Sequence, residues 1–97
     1  MHPTDTLRTA QFEAELRAQG YVEIQTREIA GGTHNAVHAH PFEVKAMMLA
    51  GELQLGCGGE TTTYRAGEVF TMAAGREHVE QFGKETARYV VGRKHPT

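Results

Sequence analysis

The sequence is short of several features that would narrow its role at once. It holds a single cysteine, Cys57, and no tryptophan. One cysteine excludes an internal disulfide framework. No stretch approaches the run of about 20 apolar residues that a membrane-spanning helix needs. The opening residues, Met1 to Thr6, lack the apolar core of a signal peptide. These absences make the cytoplasm the expected compartment. The formal charge is only −2, without a basic stripe or a Lys/Arg cluster, so neither nucleic acid nor membrane is expected as a partner. There is no Gly-rich phosphate loop, catalytic serine motif or Cys-x-x-Cys pair. Nucleotide hydrolysis, serine-hydrolase chemistry and thioredoxin-like redox work drop out with them.

What remains is a chain of 97 residues, enough for one domain, 1–97, with a modest core. A domain this small gains from a bound metal or a partner subunit. Residues 5–19 predict a short helix, capped by Thr4 or Asp5 and ended by Gly20. Leu7, Ala10, Phe12, Ala14 and Leu16 form its apolar side, and Arg8, Glu13, Glu15 and Arg17 its wet side. From residue 21 to 93 the period turns strand-like and glycines punctuate the chain. Segments 21–26, 45–50, 61–64, 68–72 and 87–91 are rich in β-branched, aromatic and aliphatic residues. Short strands with turn signals about every 8–12 residues indicate an antiparallel sandwich or barrel. Gly58-Gly59 predicts a tight hairpin between 53–57 and 60–64, and residues 65–68 another turn.

Six histidines stand in this short chain, and three have spacings with chemical meaning. His38 and His40 are two apart, so on a strand both imidazoles project to one face. His78 could close a site from a neighbouring strand. Three neutral imidazoles suit one divalent Fe, Mn, Ni, Cu or Zn ion, with a coordination position left open. A bare His-x-His pair is commonly only a surface feature; the flanking glycines give this one weight.

Those residues resemble the two signature motifs of the cupin superfamily. The first motif reads Gly, five residues, His-x-His, three or four residues, Glu, six residues, Gly; Gly32, His38-Ala39-His40 and Gly51 match it. The second reads Gly, five residues, Pro-x-Gly, two residues, His, three residues, Asn; Gly67, Gly75 and His78 match it. Together the motifs cover residues 32 to 82, about half the chain. The resemblance implies an all-β, antiparallel double-stranded β-helix (jelly-roll) barrel, here with a short N-terminal helix. It also implies a metal held by His38, His40 and His78. The departures are Ala73 for Pro, Phe82 for Asn, and Val44 at the usual metal-binding Glu position. Glu43 sits one place early. Strand parity puts 38, 40, 42 and 44 inward, so Glu43 reaches the metal only if a bulge re-aims it, and Pro41 could supply one.

Glu80 follows His78 by two and should share its face, as a ligand or as a general base. Its other reading is an exposed strand carboxylate, and both stay open here. His34 has the parity of His38 but is read as a solvated loop residue; His2 and His95 are expected to be exposed. Met47, Met48 and Met72 are read as core filling rather than pocket lining. Cys57 is read as a small strand residue, and Lys45 as an outward residue paired with Glu43.

Two functions follow. One is a metalloenzyme acting on a small polar molecule; the resemblance implies a range of dioxygenases, isomerases and lyases without choosing among them. The other is a ligand-binding or sensing module with a structural metal. Sugar-sensing cupin domains usually carry a DNA-binding domain, and none is read here, which tilts the expectation towards an enzyme. The resemblance and the small core both suggest a homodimer, with residues 5 to 29 as contact elements.

Overall fold

The protein is described here by a computed structural model that covers residues 3–96. One helix precedes eight strands: α1 (Pro3–Ala18), β1 (Val22–Ile29), β2 (His34–His38), β3 (Glu43–Ala50), β4 (Glu52–Cys57), β5 (Glu60–Arg65), β6 (Val69–Met72), β7 (His78–Phe82) and β8 (Ala87–Lys94). The strands form two four-stranded sheets, ordered β1-β8-β3-β6 and β2-β7-β4-β5. Every pairing is antiparallel. This is the expected jelly-roll with a short N-terminal helix. Among the described residues, no helix is long and apolar enough to cross a membrane.

The helix starts at Pro3, two residues earlier than expected, with Thr4 and Asp5 in its first turn; the side chains expected to cap it lie outside the described residues. A proline suits that position because its missing N–H would have no intrahelical partner. At the other end Gly20 has φ of 89°. The Tyr21 amide donates to the Leu16 carbonyl at 2.9 Å and the Gly20 amide to the Arg17 carbonyl at 3.1 Å. These are the two bonds of a Schellman cap, and they satisfy carbonyls that the helix end would orphan.

The apolar side of the helix is narrower than the sequence suggests. Only Phe12 and Leu16 are buried; Leu7 is 59% exposed, and Ala10 and Ala14 also face water. Phe12 and Leu16 pack with Tyr21 on Met47, Leu49 and Val90, the outer face of β3 and β8. Losing either contact by substitution to Ala is expected to cost about 2–5 kcal/mol. This docking explains why β3 does not alternate. Its inner face supplies Ala46 and Met48 to the core between the sheets, while Met47 and Leu49 are buried under the helix. Lys45 likewise turns to the helix, not to Glu43. Its ammonium donates to Gln19 at 2.8 Å and lies 5.9 Å from the Phe12 ring centre. Met48 and Met72 fill the inter-sheet core with Leu53, Leu55, Phe70 and Phe82.

The four motif glycines have one physical cause. Gly32, Gly51, Gly67 and Gly75 take φ of 79°, 78°, 90° and 79°. Side chains other than glycine rarely adopt that region. Each sits at a corner where the chain turns between strands. Gly58 and Gly59, at 56° and 85°, make the two-residue loop of the β4–β5 hairpin, the positive-φ pair of a type I′ turn.

Candidate metal centre

One end of the space between the sheets is not filled by the core. It forms a cavity of about 540 Å³, lined in part by His38, His40, Phe42, Val44 and Glu80. The inward parity of 38, 40, 42 and 44 therefore holds. His40, however, lies two residues beyond the end of β2, not on a strand. Its backbone is held instead by the Gly75 amide, which donates to the His40 carbonyl at 2.8 Å.

His38 and His78 face each other across the β2–β7 ladder. The three imidazoles of His38, His40 and His78 converge. Their ring centres are 4.3 Å apart for 38 and 78, 4.9 Å for 38 and 40, and 5.3 Å for 40 and 78. One nitrogen from each lies within 4.8 Å of the others. An ion bound through bonds of about 2.0–2.1 Å holds its donors about 3–4 Å apart, close to this spacing. Three imidazoles and a partly open cavity fit a divalent transition metal.

The surroundings prepare these nitrogens. His38 Nδ1 is 2.7 Å from the Ala36 carbonyl, and His78 Nδ1 is 3.0 Å from the Arg76 carbonyl. A carbonyl only accepts, so each Nδ1 carries the proton and each Nε2 keeps its lone pair. Carbonyls and carboxylates play this orienting part behind metal-bound histidines generally. Ala36 lies in a bulge, where the β2–β7 register slips between Asn35 and His38, and Arg76 precedes β7, so both lie where the ladder is interrupted. His40 stacks on Phe42, ring centres 5.0 Å apart and nearly parallel. Burial holds its pKa below the ordinary histidine value, and the neighbouring His38 and His78 push it the same way. It is therefore neutral near pH 7, as a ligand must be.

Glu80 is in the cavity. One carboxylate oxygen accepts a hydrogen bond from the Asn35 side-chain amide at 2.8 Å and lies 4.0 Å from His38 Nε2. Its other candidate reading, an exposed strand carboxylate, does not describe this position. Asn35 was missed because of the bulge. Unbroken parity pairs His34 with the inward face, but the extra residue swaps the two. His34 is exposed and meets Gln81 at 2.9 Å, while Asn35 is opposite Glu80.

Glu43 is placed elsewhere. It pairs with Lys94 in the β3–β8 ladder, and its carboxylate accepts a short hydrogen bond from the Tyr21 hydroxyl. The β3–β8 register runs unbroken from Glu43 to Met48, so no bulge after Pro41 turns Glu43 inward; the slip beside the histidines is on β2. Val44, at the motif's usual carboxylate position, lines the cavity without a donor atom. Tyr21 is 5% exposed, and burial, reinforced by Glu43, raises its pKa to about 12. His95 is exposed and meets Glu23 at 2.6 Å, and His2 lies outside the described residues. Cys57, half-buried, contacts the Met72 sulfur at 3.8 Å.

Two sheets rolled into a barrel, with histidines from both motifs meeting at one end, define the class. The chain has the cupin fold, a double-stranded β-helix. Three solved structures are similar to it. One is a protein of unknown function from Rhizobium leguminosarum bv. viciae 3841, 22% identical with a TM-score of 0.70 over 75% of this chain and 69% of that one. A second is a cupin superfamily protein from Desulfitobacterium hafniense DCB-2, 16% identical with a TM-score of 0.69 over 78% of this chain and 69% of that one. The third is the cupin domain of Cnp3 from Schizosaccharomyces pombe, 17% identical with a TM-score of 0.68; the match covers 75% of this chain and 52% of that one. No family model matches the chain, and no curated protein matches it.

Proposed function

We propose that this is a metalloenzyme of the cupin type, acting on a small polar molecule at a divalent ion held by His38, His40 and His78. The convergence of three imidazoles, two with their Nε2 lone pairs freed by backbone carbonyls, carries the reading. A bound divalent ion would supply Lewis-acid polarisation of a substrate oxygen. Glu80 supplies the base. Asn35 fixes one of its oxygens, and its carboxylate faces the same cavity as the histidines. A proton taken from a bound molecule would travel only the width of the site, the reach a general base needs. Val44, Leu53 and Phe70 keep the inner wall apolar, which strengthens every charge interaction beside it.

Titration of the metal-free protein with Co²⁺ tests this. One site per chain with visible absorption from nitrogen ligation is expected, and azide should alter the spectrum by entering an open position. A spectrum indifferent to azide would mean a closed structural site, and the enzyme reading would fall.

A further inference from the structure

We infer that the cavity is built for a small carboxylate with an apolar portion, gripped by Arg27 and Arg93, which line its wall; this names the substrate class of the proposed site and rests on that reading.

Two arginines line the wall of this cavity: Arg93 is half-buried, and Arg27 is exposed. Inward positions alternate along β8 as Tyr89, Val91 and Arg93, and Arg27 on β1 is opposite Tyr89. Both guanidiniums therefore line the same cavity as the histidines. A half-buried charge such as that of Arg93 ordinarily finds an opposite charge. Among the described residues, neither arginine is within ion-pair distance of a carboxylate, and the one carboxyl that Arg93 helps to hold below its usual range is the exposed Glu23. Arg93 lies over Phe42, its Cζ 4.5 Å from the ring centre, and Arg27 interacts with the Tyr89 hydroxyl. Those contacts fix each group without neutralising it. A guanidinium has five N–H donors, and stacking uses only its face.

Phe42 is shared. His40 stacks on it, and Arg93 lies over the same ring. One ring therefore links the position of the cation to that of the metal ligand. Of the cavity's carboxylates, Glu80 is engaged by Asn35, and Glu28, like Arg27, is exposed. With a divalent ion bound, the two guanidiniums would make the cavity's polar lining net positive even against Glu28 and Glu80. Planar forks match a carboxylate, and the volume of about 540 Å³ suits a small organic molecule. Ile29, Val44 and Phe70 in the same lining ask for hydrocarbon in the ligand. Inorganic phosphate has none.

The test is calorimetry at low salt on metal-free and Zn²⁺-loaded protein, with benzoate and succinate as probes. Benzamide, succinamide and inorganic phosphate are the comparisons. At least one acid is expected to bind about tenfold or more tighter than its amide. Arg27→Gln and Arg93→Gln should each weaken it by about tenfold, as loss of a charge-assisted hydrogen bond does, with metal content and unfolding midpoint as in the wild type. The inference is overturned if neither acid binds saturably, if amides or phosphate bind as well as the acids, or if the double arginine variant keeps wild-type affinity. Metal content measured on the same samples separates the two claims. Arginine-dependent acid binding by protein that takes up no metal sinks the metal reading and leaves the carboxylate site standing. Metal-loaded protein indifferent to acids does the reverse.

Discussion

Adding metal is expected to stabilise the folded chain by about 3 kcal/mol, and two histidines should lose that gain in different ways. A ligand that binds only the native state at 100 times its dissociation constant adds about 2.7 kcal/mol. For a domain of this size each kcal/mol moves the midpoint by about 4–8 °C, so the wild type should melt about 11–22 °C higher with Zn²⁺ than with chelator. His78 is 4% exposed and its Nδ1 satisfies the Arg76 carbonyl. Replacing it with Ala leaves a cavity and an orphaned acceptor, a loss of about 2–3 kcal/mol even without metal. The His38 side chain is 31% exposed, so His38→Ala should cost under about 1 kcal/mol in chelator. Both variants should then be flat to added metal. Thermal melts of the three proteins in EDTA and in ZnCl₂ read these values. A double His38→Ala, His78→Ala variant stabilised by metal as much as the wild type would refute the reasoning.

Glu80→Gln should keep the fold but weaken metal binding by about tenfold or more, whereas Glu43→Gln should leave metal affinity unchanged and cost only about 1 kcal/mol through the Tyr21 bond; competition with a chromogenic chelator checks both, and the reverse pattern would restore Glu43 as the ligand. His40 has a pKa below the ordinary 6.5, so below that pH the unfolded chain binds a proton that the folded one resists. Metal-free protein should therefore lose stability as pH falls below about 6.5, with a shallower loss in His40→Phe; stability rising on acidification would count against it. Tyr21 runs the other way, since its folded pKa is raised to about 12 from 10.0. Its contribution is complete below pH 10 and lost as pH climbs through 12, so Tyr21→Phe should flatten the alkaline limb of a denaturation series. Light scattering at micromolar concentration should give a dimer mass, with Leu7 and Val22 exposed on the elements proposed to meet; a monomer mass would contradict it.

The parts of this fold that could be read in advance are those where a single residue has a single cause. Gly32, Gly51, Gly67 and Gly75 all need positive φ, and that requirement fixed the corners between strands and with them the register of His38, His40 and His78. Gly58-Gly59 fixed the hairpin for the same reason. What stayed hidden depends on contacts between distant elements. The narrow helix stripe of Phe12 and Leu16 follows from where β3 and β8 lie beneath it, which no period along residues 5–19 encodes. Lys45 turned to Gln19 because the helix covers that face. The bulge at Ala36 and Val37 has no glycine or proline to announce it, so counting by twos exchanged His34 for Asn35. The same count succeeded on β7, which has no bulge between His78 and Glu80.

The central claim is the metal centre, and elemental analysis tests it most directly. Protein purified without added metal should carry close to one divalent transition-metal ion per chain. The double His38→Ala, His78→Ala variant, prepared alongside it, should carry almost none. Equal metal content in the two would contradict the account.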